Sequence, residues 1–119
     1  MSLVARYLEA QGIPTVIIGS ALDIVEYCGV PRYLHVDFPL GNPCGKPFDR
    51  DMQKRIVKHG LGLLDSVTVP GKTIYSAERW GSHAWRDQYM AVNDDNRAAL
   101  LSQGEELRAR RAQRQPRDL

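Results

Sequence analysis

The stretch Thr15-Val16-Ile17-Ile18-Gly19-Ser20 decides the fold of this chain. Its first four residues are all β-branched and show no alternation of apolar and polar side chains, which is typical of a strand covered on both faces. Gly19 and Ser20 end this strand. The residues from Ala21 to Cys28 then predict a short helix that closes at Gly29.

A second strand is predicted from Arg32 to Phe38, where apolar and polar side chains alternate. Two strands joined by a crossover helix are expected to be parallel and right-handed. Both strands then end at the same edge of the sheet, and ligands of such sheets bind beyond that edge. We therefore expect Ser20 and the loop from Asp37 to Lys46 to face one small volume.

Helices are predicted on both sides of these strands. Ser2 is expected to cap a first helix that stops at Gly12, with four apolar residues on one face, namely Leu3, Val4, Tyr7 and Leu8. Asp49 is expected to cap a helix from about Arg50 to Ser66, in which Asp51 is spaced for a pair with Arg55. Its predicted inner stripe consists of Met52, Ile56, Leu63 and Leu64.

The C-terminal half is less regular. Pro70-Gly71 predicts a turn, a third strand is expected near Thr73–Tyr75, and Asp94 or Asp95 can begin a helix toward Arg110. The fold class predicted is α/β: a small three-layer domain with a short parallel sheet, an α-β-α-β-α front half, and an irregular and helical C-terminal extension. Three segments are expected: an α/β core over 1–66, an extension over 67–104 and a basic, solvated tail over 105–119.

The aromatic-rich stretch that follows the third strand has two interpretations. Its composition fits a subunit interface, because aromatic residues are enriched at interface centres. A local cover over the core explains it equally well. The residues concerned are Trp80, His83, Trp85 and Tyr89.

Composition excludes several classes of protein. The 119 residues are 43% hydrophobic and 25% charged, as in one soluble globular domain, and a net charge of +2 argues against nucleic acid as the main partner. No run is long enough to span a membrane, and the first residues lack the layout of a signal peptide. The two cysteines predict neither a disulfide framework nor a metal site. We expect a reduced cytoplasmic protein.

The sheet predicted for this chain looks incomplete. Parallel sheets need cover on both faces and at both edges, and two or three short strands do not supply it. The sequence therefore predicts that another copy of the chain, or a different subunit, completes the sheet or the site.

The loop from Pro39 to Asp49 carries most of the chemistry in the sequence. It spans eleven residues with three prolines and two glycines, longer than most strand-to-helix connections, and such loops usually serve a function. Cys44 is the candidate thiol, and Lys46 is a candidate anchor for a carboxylate. Gly41 and Asn42 could bind a carboxylate through N–H groups and an amide, although turn geometry explains both residues as well.

Three further residues are candidates at the strand ends. His35 could act as a general acid or base near neutral pH, whereas its alternative role is packing in mid-strand. Asp37 is better placed for a site than His35, because it lies close to the end of the predicted strand. Its alternative role is to hydrogen-bond N–H groups of the loop and hold the loop's shape. Ser20 either contacts a ligand or caps the helix that follows it. We expect no metal.

Four short segments together resemble the C-terminal part of the selenoprotein B subunits of the glycine, sarcosine, betaine and D-proline reductases. The resemblance covers residues 3–65, and its order and spacing carry it. The segments are Gly12-Ile13-Pro14-Thr15-Val16, Cys28-Gly29-Val30-Pro31-Arg32, Phe38-Pro39-Leu40-Gly41-Asn42-Pro43 and Arg55-Ile56-Val57.

The resemblance implies a reductive cleavage. In that family a selenocysteine or cysteine attacks the α-carbon of the substrate and expels an amine, and a second thiol resolves the adduct. The family's redox cluster lies just upstream of the helix that Ser2 begins here, and nothing in this sequence replaces it. The resemblance thus implies either that a redox centre on a partner chain supplies the nucleophile or that the redox chemistry has been lost, and it implies no cofactor bound here.

Three hypotheses follow. In the first, the chain is the small subunit of a heteromeric thiol- or selenol-dependent oxidoreductase, contributing the substrate loop to a site for a small anionic substrate. In the second, it is a self-contained racemase- or lyase-like enzyme that uses Cys44. In the third, it is a non-catalytic scaffold for a redox partner. Fold alone does not choose among them.

Overall fold

The computed structural model describes residues 1–89 and 91–113, which form two compact units divided after Arg86. In chain order the elements are α1 (Ser2–Ala10), β1 (Ile17–Gly19), α2 (Leu22–Tyr27), β2 (Arg32–His35), α3 (Arg50–Ser66), β3 (Lys72–Tyr75), α4 (Ala84–Gln88) and α5 (Asp94–Gln113). The predicted α/β class and α-β-α-β-α front half are confirmed. The segment boundaries at residues 66 and 104 stay predictions.

The sheet has three strands in the order β1-β2-β3, and both pairs are parallel. Ile18 pairs with Leu34, which pairs with Ile74, so one row of apolar side chains crosses the sheet. The third strand is confirmed by its pairing with β2. The turn at Pro70-Gly71 is confirmed as well, since Gly71 takes φ +80° and its N–H donates to the Pro31 carbonyl. The second strand ends at His35, three residues before the predicted end.

One face of the sheet packs against α3, whose predicted bounds are confirmed. Asp49 caps this helix by accepting a hydrogen bond of 3.0 Å from the Met52 N–H. The main core lies between α3 and β2, where seven residues are buried together: Leu34, Val36, Phe38, Met52, Ile56, Leu63 and Val67. Gly60 brings the helix close to the sheet, because a Cβ there would lie 2.8 Å from Ile18 Cδ1.

The other face of the sheet packs against α2. Tyr33 is buried with Val25 and Val30, and Ile17 and Leu22 complete this smaller cluster. β2 is therefore covered on both faces, as a central parallel strand should be. The three layers of the predicted domain are α2, the sheet and α3.

The first helix differs from the prediction in its orientation. Met1 is the N-cap, and no side chain caps the helix, so the prediction that Ser2 does so was wrong. The predicted apolar face lies largely in solvent, since Leu3, Val4 and Tyr7 are exposed and the opposite side buries Ala5. Glu9 explains this orientation: it accepts hydrogen bonds from Thr15 and forms an ion pair of 2.6 Å with Arg32.

The second unit consists chiefly of α5, which begins at Asp94 as predicted. No residue of α5 is buried, and Asn93 and Asn96 close its first turn with reciprocal hydrogen bonds. The predicted solvated tail is helical and exposed as far as residue 113, and its last residues, 114–119, lie outside the described residues. Within residues 1–89 and 91–113, no helix has the length and apolar character needed to cross a membrane.

Candidate functional site

The carboxyl ends of the three strands meet at one edge of the sheet. Gly19 pairs with His35, and His35 pairs with Tyr75, so the last residue of each strand lies in one row. Ser20, the chain that leads to Asp37, and Ser76 all begin at this row. Ser20 and Asp37 therefore start from one edge of the sheet, and β3 adds a third contributor. Ser20 is not among the residues that line the cavity beside Asp37, so the expectation that both face one small volume stays a prediction.

A cavity of about 200 Å³ lies beyond this edge, inside the first unit. Asp37 contributes one wall, and the irregular segment after β3 contributes most of the rest. The lining residues are Asp37, Ser76, Ala77, Glu78, Arg79, Trp80, Gly81, Ser82, His83 and Trp85. The 76–83 segment has no periodic pattern, so the sequence does not predict that it lines a cavity. The signal that could have found it is its place directly after β3, because ligands bind beyond the carboxyl ends of parallel strands.

Arg86 joins three residues around the cavity. Its guanidinium donates to Asp37 Oδ1 and to His83 Nδ1, and it lies 4.9 Å from the centroid of the Trp85 ring. Because arginine only donates hydrogen bonds, His83 Nδ1 is the acceptor in this contact. Asp37 is thus neutralised by a cation in the same site.

Glu78 is held by a second arginine. Arg55 donates to both of its carboxylate oxygens, at 2.6 and 3.0 Å, in the bidentate geometry typical of this pair. These hydrogen bonds lower the pKa of the Glu78 carboxyl and raise the pKa of Arg55. The predicted ion pair between Asp51 and Arg55 is therefore wrong, since Glu78 takes the guanidinium.

Lys46 lies beside the cavity. Its Nζ is 6.0 Å from the centroid of the Trp80 ring and 3.3 Å from the position that a Cβ on Gly81 would occupy. Trp80 also packs on Phe38 with ring centroids 5.4 Å apart, which fits the local-cover interpretation for this tryptophan. Lys46 and Arg79 add positive charge to a site whose carboxylates are already paired.

His35 lies on the α2 face of the sheet, between two tyrosines. Its Nδ1 is 3.2 Å from the Tyr33 hydroxyl, and the Tyr75 ring centroid is 5.4 Å from its own. The Tyr33 hydroxyl also lies 2.9 Å from the Gly19 carbonyl, an acceptor, so His35 Nδ1 carries the proton that bonds the hydroxyl oxygen. Burial raises the pKa of Tyr33 to about 12. The two candidates are thus separated: Asp37 contacts Arg86 and lines the cavity, whereas His35 does not line it.

The 39–49 loop consists of successive turns that are pinned to α3. Gly41 takes φ +93°, and the Asn42 N–H donates to the Pro39 carbonyl, so the loop itself uses that N–H group. Gly45 lies close to Met52, because a Cβ there would come within 3.0 Å of its side chain. Cys44 is exposed and is not among the residues that line the cavity.

Ser20 stands at the end of β1 with a buried hydroxyl. Within the described part of the chain, its Oγ has no hydrogen-bond partner. A buried polar group without a partner is costly, so this oxygen is available to a ligand or a water molecule. Among residues 1–89 and 91–113, no three His, Cys, Asp or Glu side chains come together to hold a metal ion.

The chain is similar to the D-proline reductase subunit gamma of Acetoanaerobium sticklandii. The two are 35% identical over 72 residues, which make up 60% of this chain and 30% of the relative. The chain thus spans less than a third of the relative it matches. No protein-family profile matches the chain, and no solved structure matches it. The similarity supports a relation to the proline and glycine reductases, at the level of a subunit of such an enzyme.

Proposed function

We propose that this chain is a subunit of a heteromeric thiol- or selenol-dependent reductase related to D-proline reductase. It contributes the sheet edge and the 39–49 loop to the substrate site, and a partner chain carries the redox-active cysteine or selenocysteine. The similarity to a reductase subunit carries this proposal. The parallel sheet edge with its cavity supports it, because α/β proteins bind small ligands there.

The cysteines of this chain favour a nucleophile from elsewhere. Reductive displacement needs a low-pKa thiolate or selenolate and a second thiol that resolves the adduct. Cys28 is half-buried at the end of α2, whereas Cys44 is exposed on the 39–49 loop. The two lie on different elements and form no disulfide. A partner that supplies the redox pair would complete the site.

The charges around the cavity favour a small anionic substrate. Asp37 and Glu78 are each paired with an arginine, so they add no net negative charge to the site. Lys46 and Arg79 lie at or beside the cavity and favour a carboxylate. A cavity of about 200 Å³ suits a small molecule such as an amine-bearing acid.

Specific roles follow for the candidate residues. Lys46 binds the substrate carboxylate, and the Ser20 hydroxyl and the Asn42 amide add hydrogen bonds. Asp37 positions Arg86 at the cavity, and His35, beside Tyr33 at the same strand ends, is the candidate acid or base. Gly41 shapes the turn that presents the loop.

A self-contained enzyme that uses Cys44 is the second candidate function. The exposure of this thiol, two residues before Lys46, favours it. The proposed subunit role does not require Cys44, so replacement by serine separates the two functions.

Reconstitution tests the proposal. The chain would be affinity-purified from its native host, its partners identified by mass spectrometry, and the partner with a cysteine or selenocysteine motif co-expressed with it. With dithiothreitol as electron donor and D-proline or glycine as substrate, we expect turnover only when both chains are present. Turnover by this chain alone, abolished by Cys44→Ser, would establish the second candidate instead.

Two lysine variants of the reconstituted complex test the anion site. Lys46→Gln should raise KM at least tenfold. Lys72→Gln is the matched control, because Lys72 begins β3 and lies at the opposite edge of the sheet; it should change KM less than twofold. Equal effects of the two variants would contradict a substrate role for Lys46.

A further inference from the structure

The solvent-facing side of α3 carries a mixed basic and apolar surface. Successive residues turn by about 100° around a helix, so residues 50, 54, 57, 58 and 61 share one side, opposite the side buried in the core. Val57 is 40% exposed and Leu61 is 57% exposed, although both are aliphatic. We call this set the α3 outer surface: Arg50, Lys54, Val57, Lys58 and Leu61.

A groove and an exposed aromatic ring lie at the N-terminal end of this surface. The groove has a volume of about 370 Å³ and is lined by Arg50, Gln53, Lys54 and Val57. Phe48, two residues before the helix, is 97% exposed and takes φ +66°, a conformation that is unfavourable for an aromatic residue. Strained backbone positions of this kind cluster at functional sites, where the surrounding structure holds them in place.

Charge decides which kind of partner fits the surface. Arg50, Lys54 and Lys58 give it three positive charges, and two carboxylates border it, Asp51 at the start of α3 and Asp65 near its end, so the net charge along this side is positive. A second copy would place the lysines of both chains at the centre of the contact. An antiparallel arrangement would gain Arg50–Asp65 pairs only at the two ends. The charge pattern therefore favours a different, acidic partner.

We infer that the α3 outer surface is the docking site for an acidic amphipathic segment of another protein subunit. Carboxylates of that segment pair with Arg50, Lys54 and Lys58, and its aliphatic side chains cover Val57 and Leu61, with the Phe48 ring at one end. This inference rests on the proposed function, which requires a partner chain, and it names the surface that binds the partner. The inner side of the same helix packs on Gly45, so docking takes place next to the loop that carries Lys46.

Site-specific photo-crosslinking in the co-expressed complex tests the inference. Benzoylphenylalanine would be introduced at Lys58 and at Leu61, with Lys72 on β3 as the control position. Crosslinks from the two α3 positions should map, by mass spectrometry, to a segment of the partner rich in Asp or Glu. Crosslinks to a second copy of this chain, to lipid, or to a basic or neutral segment would overturn the inference, as would equal crosslinking from position 72.

Charge reversal gives a quantitative test. The double variant K54E/K58E should weaken binding of the partner at least tenfold in 0.1 M salt and reduce the salt dependence of binding, whereas K72E should change binding less than twofold. Circular dichroism would show that the variants are folded. Unchanged binding by the double variant would overturn the inference, as would binding of the chain to phosphatidylglycerol vesicles in place of the partner.

The outcomes separate this inference from the proposed function. If the complex forms through α3 but catalyses no reduction, the docking surface stands and the reductase proposal fails. If the complex reduces its substrate and tolerates K54E/K58E, the reductase proposal stands and the docking surface is wrong.

Discussion

Replacing Gly60 with alanine tests how closely α3 lies against the sheet. A Cβ at this position would come 2.8 Å from Ile18 Cδ1 and 3.2 Å from Ile18 Cγ1, inside normal van der Waals contact. At Gly62, two residues later in the same helix, a Cβ would meet no atom within 4 Å. Both glycines lie within α3, so alanine gains about 1 kcal/mol of helix propensity at either position.

We expect Gly62→Ala to raise the free energy of unfolding by about 0.5–1 kcal/mol. In Gly60→Ala, overpacking against Ile18 costs about 1–3 kcal/mol and offsets that gain. The difference between the two variants isolates the packing cost, because the propensity contribution cancels. Urea unfolding followed by circular dichroism gives both values. Equal stabilisation by the two substitutions would refute the close contact between α3 and β1.

Three further predictions concern single side chains. Burial raises the pKa of Tyr33 from 10.0 to about 12. Between pH 10 and 12 the unfolded chain has released this proton while the folded chain keeps it. The contribution of Tyr33 to the free energy of unfolding should therefore be full below pH 10 and be lost as the pH rises from 10 to 12. Urea unfolding at several pH values should show a smaller fall for Tyr33→Phe, and an unchanged fall would contradict the assignment. Dithionitrobenzoate should react with Cys44 before Cys28, because only Cys44 is exposed; equal rates would show that the 39–49 loop shields it. Asp49→Ala should lower the unfolding free energy by about 1 kcal/mol, whereas Asp49→Asn, which keeps the acceptor, should cost a few tenths; equal losses would argue against the cap.

The sequence predicts those parts of the fold that depend on local signals. The bounds of α3 follow from the cap at Asp49 and its apolar stripe, and the end of β1 follows from Gly19, whereas β2 ends three residues before the predicted end at Phe38. The parallel arrangement follows from the crossover helix, and with it the edge where Ser20 and Asp37 begin. These features need only residues that are close in sequence.

Contacts between distant residues account for what the sequence does not predict. Spacing of four residues favours a pair between Asp51 and Arg55, but Glu78 offers two oxygens to the same guanidinium from 23 residues away. The bond from Arg86 to Asp37 spans 49 residues and has no local signature.

Helix α1 shows the same difficulty. Its spacing shows which apolar residues share a face, but it does not show which face meets the sheet. That choice is made by Glu9, whose hydrogen bonds to Thr15 and ion pair with Arg32 turn the apolar residues outward.

The Gly19 carbonyl, which accepts hydrogen bonds from both the Val36 N–H and the Tyr33 hydroxyl, controls how β1 detaches from its neighbour. Within the described part of the chain, β1 has only three residues and pairs with β2 alone, so this hydroxyl reinforces a short ladder of backbone hydrogen bonds. Without that hydroxyl, amide exchange at Val36 should accelerate while exchange at Ile56 in α3 keeps the rate of global unfolding. β1 would then separate from β2 by local unfolding, at a lower free energy than global unfolding, and Ser20 would move away from the carboxyl edge of the sheet together with β1.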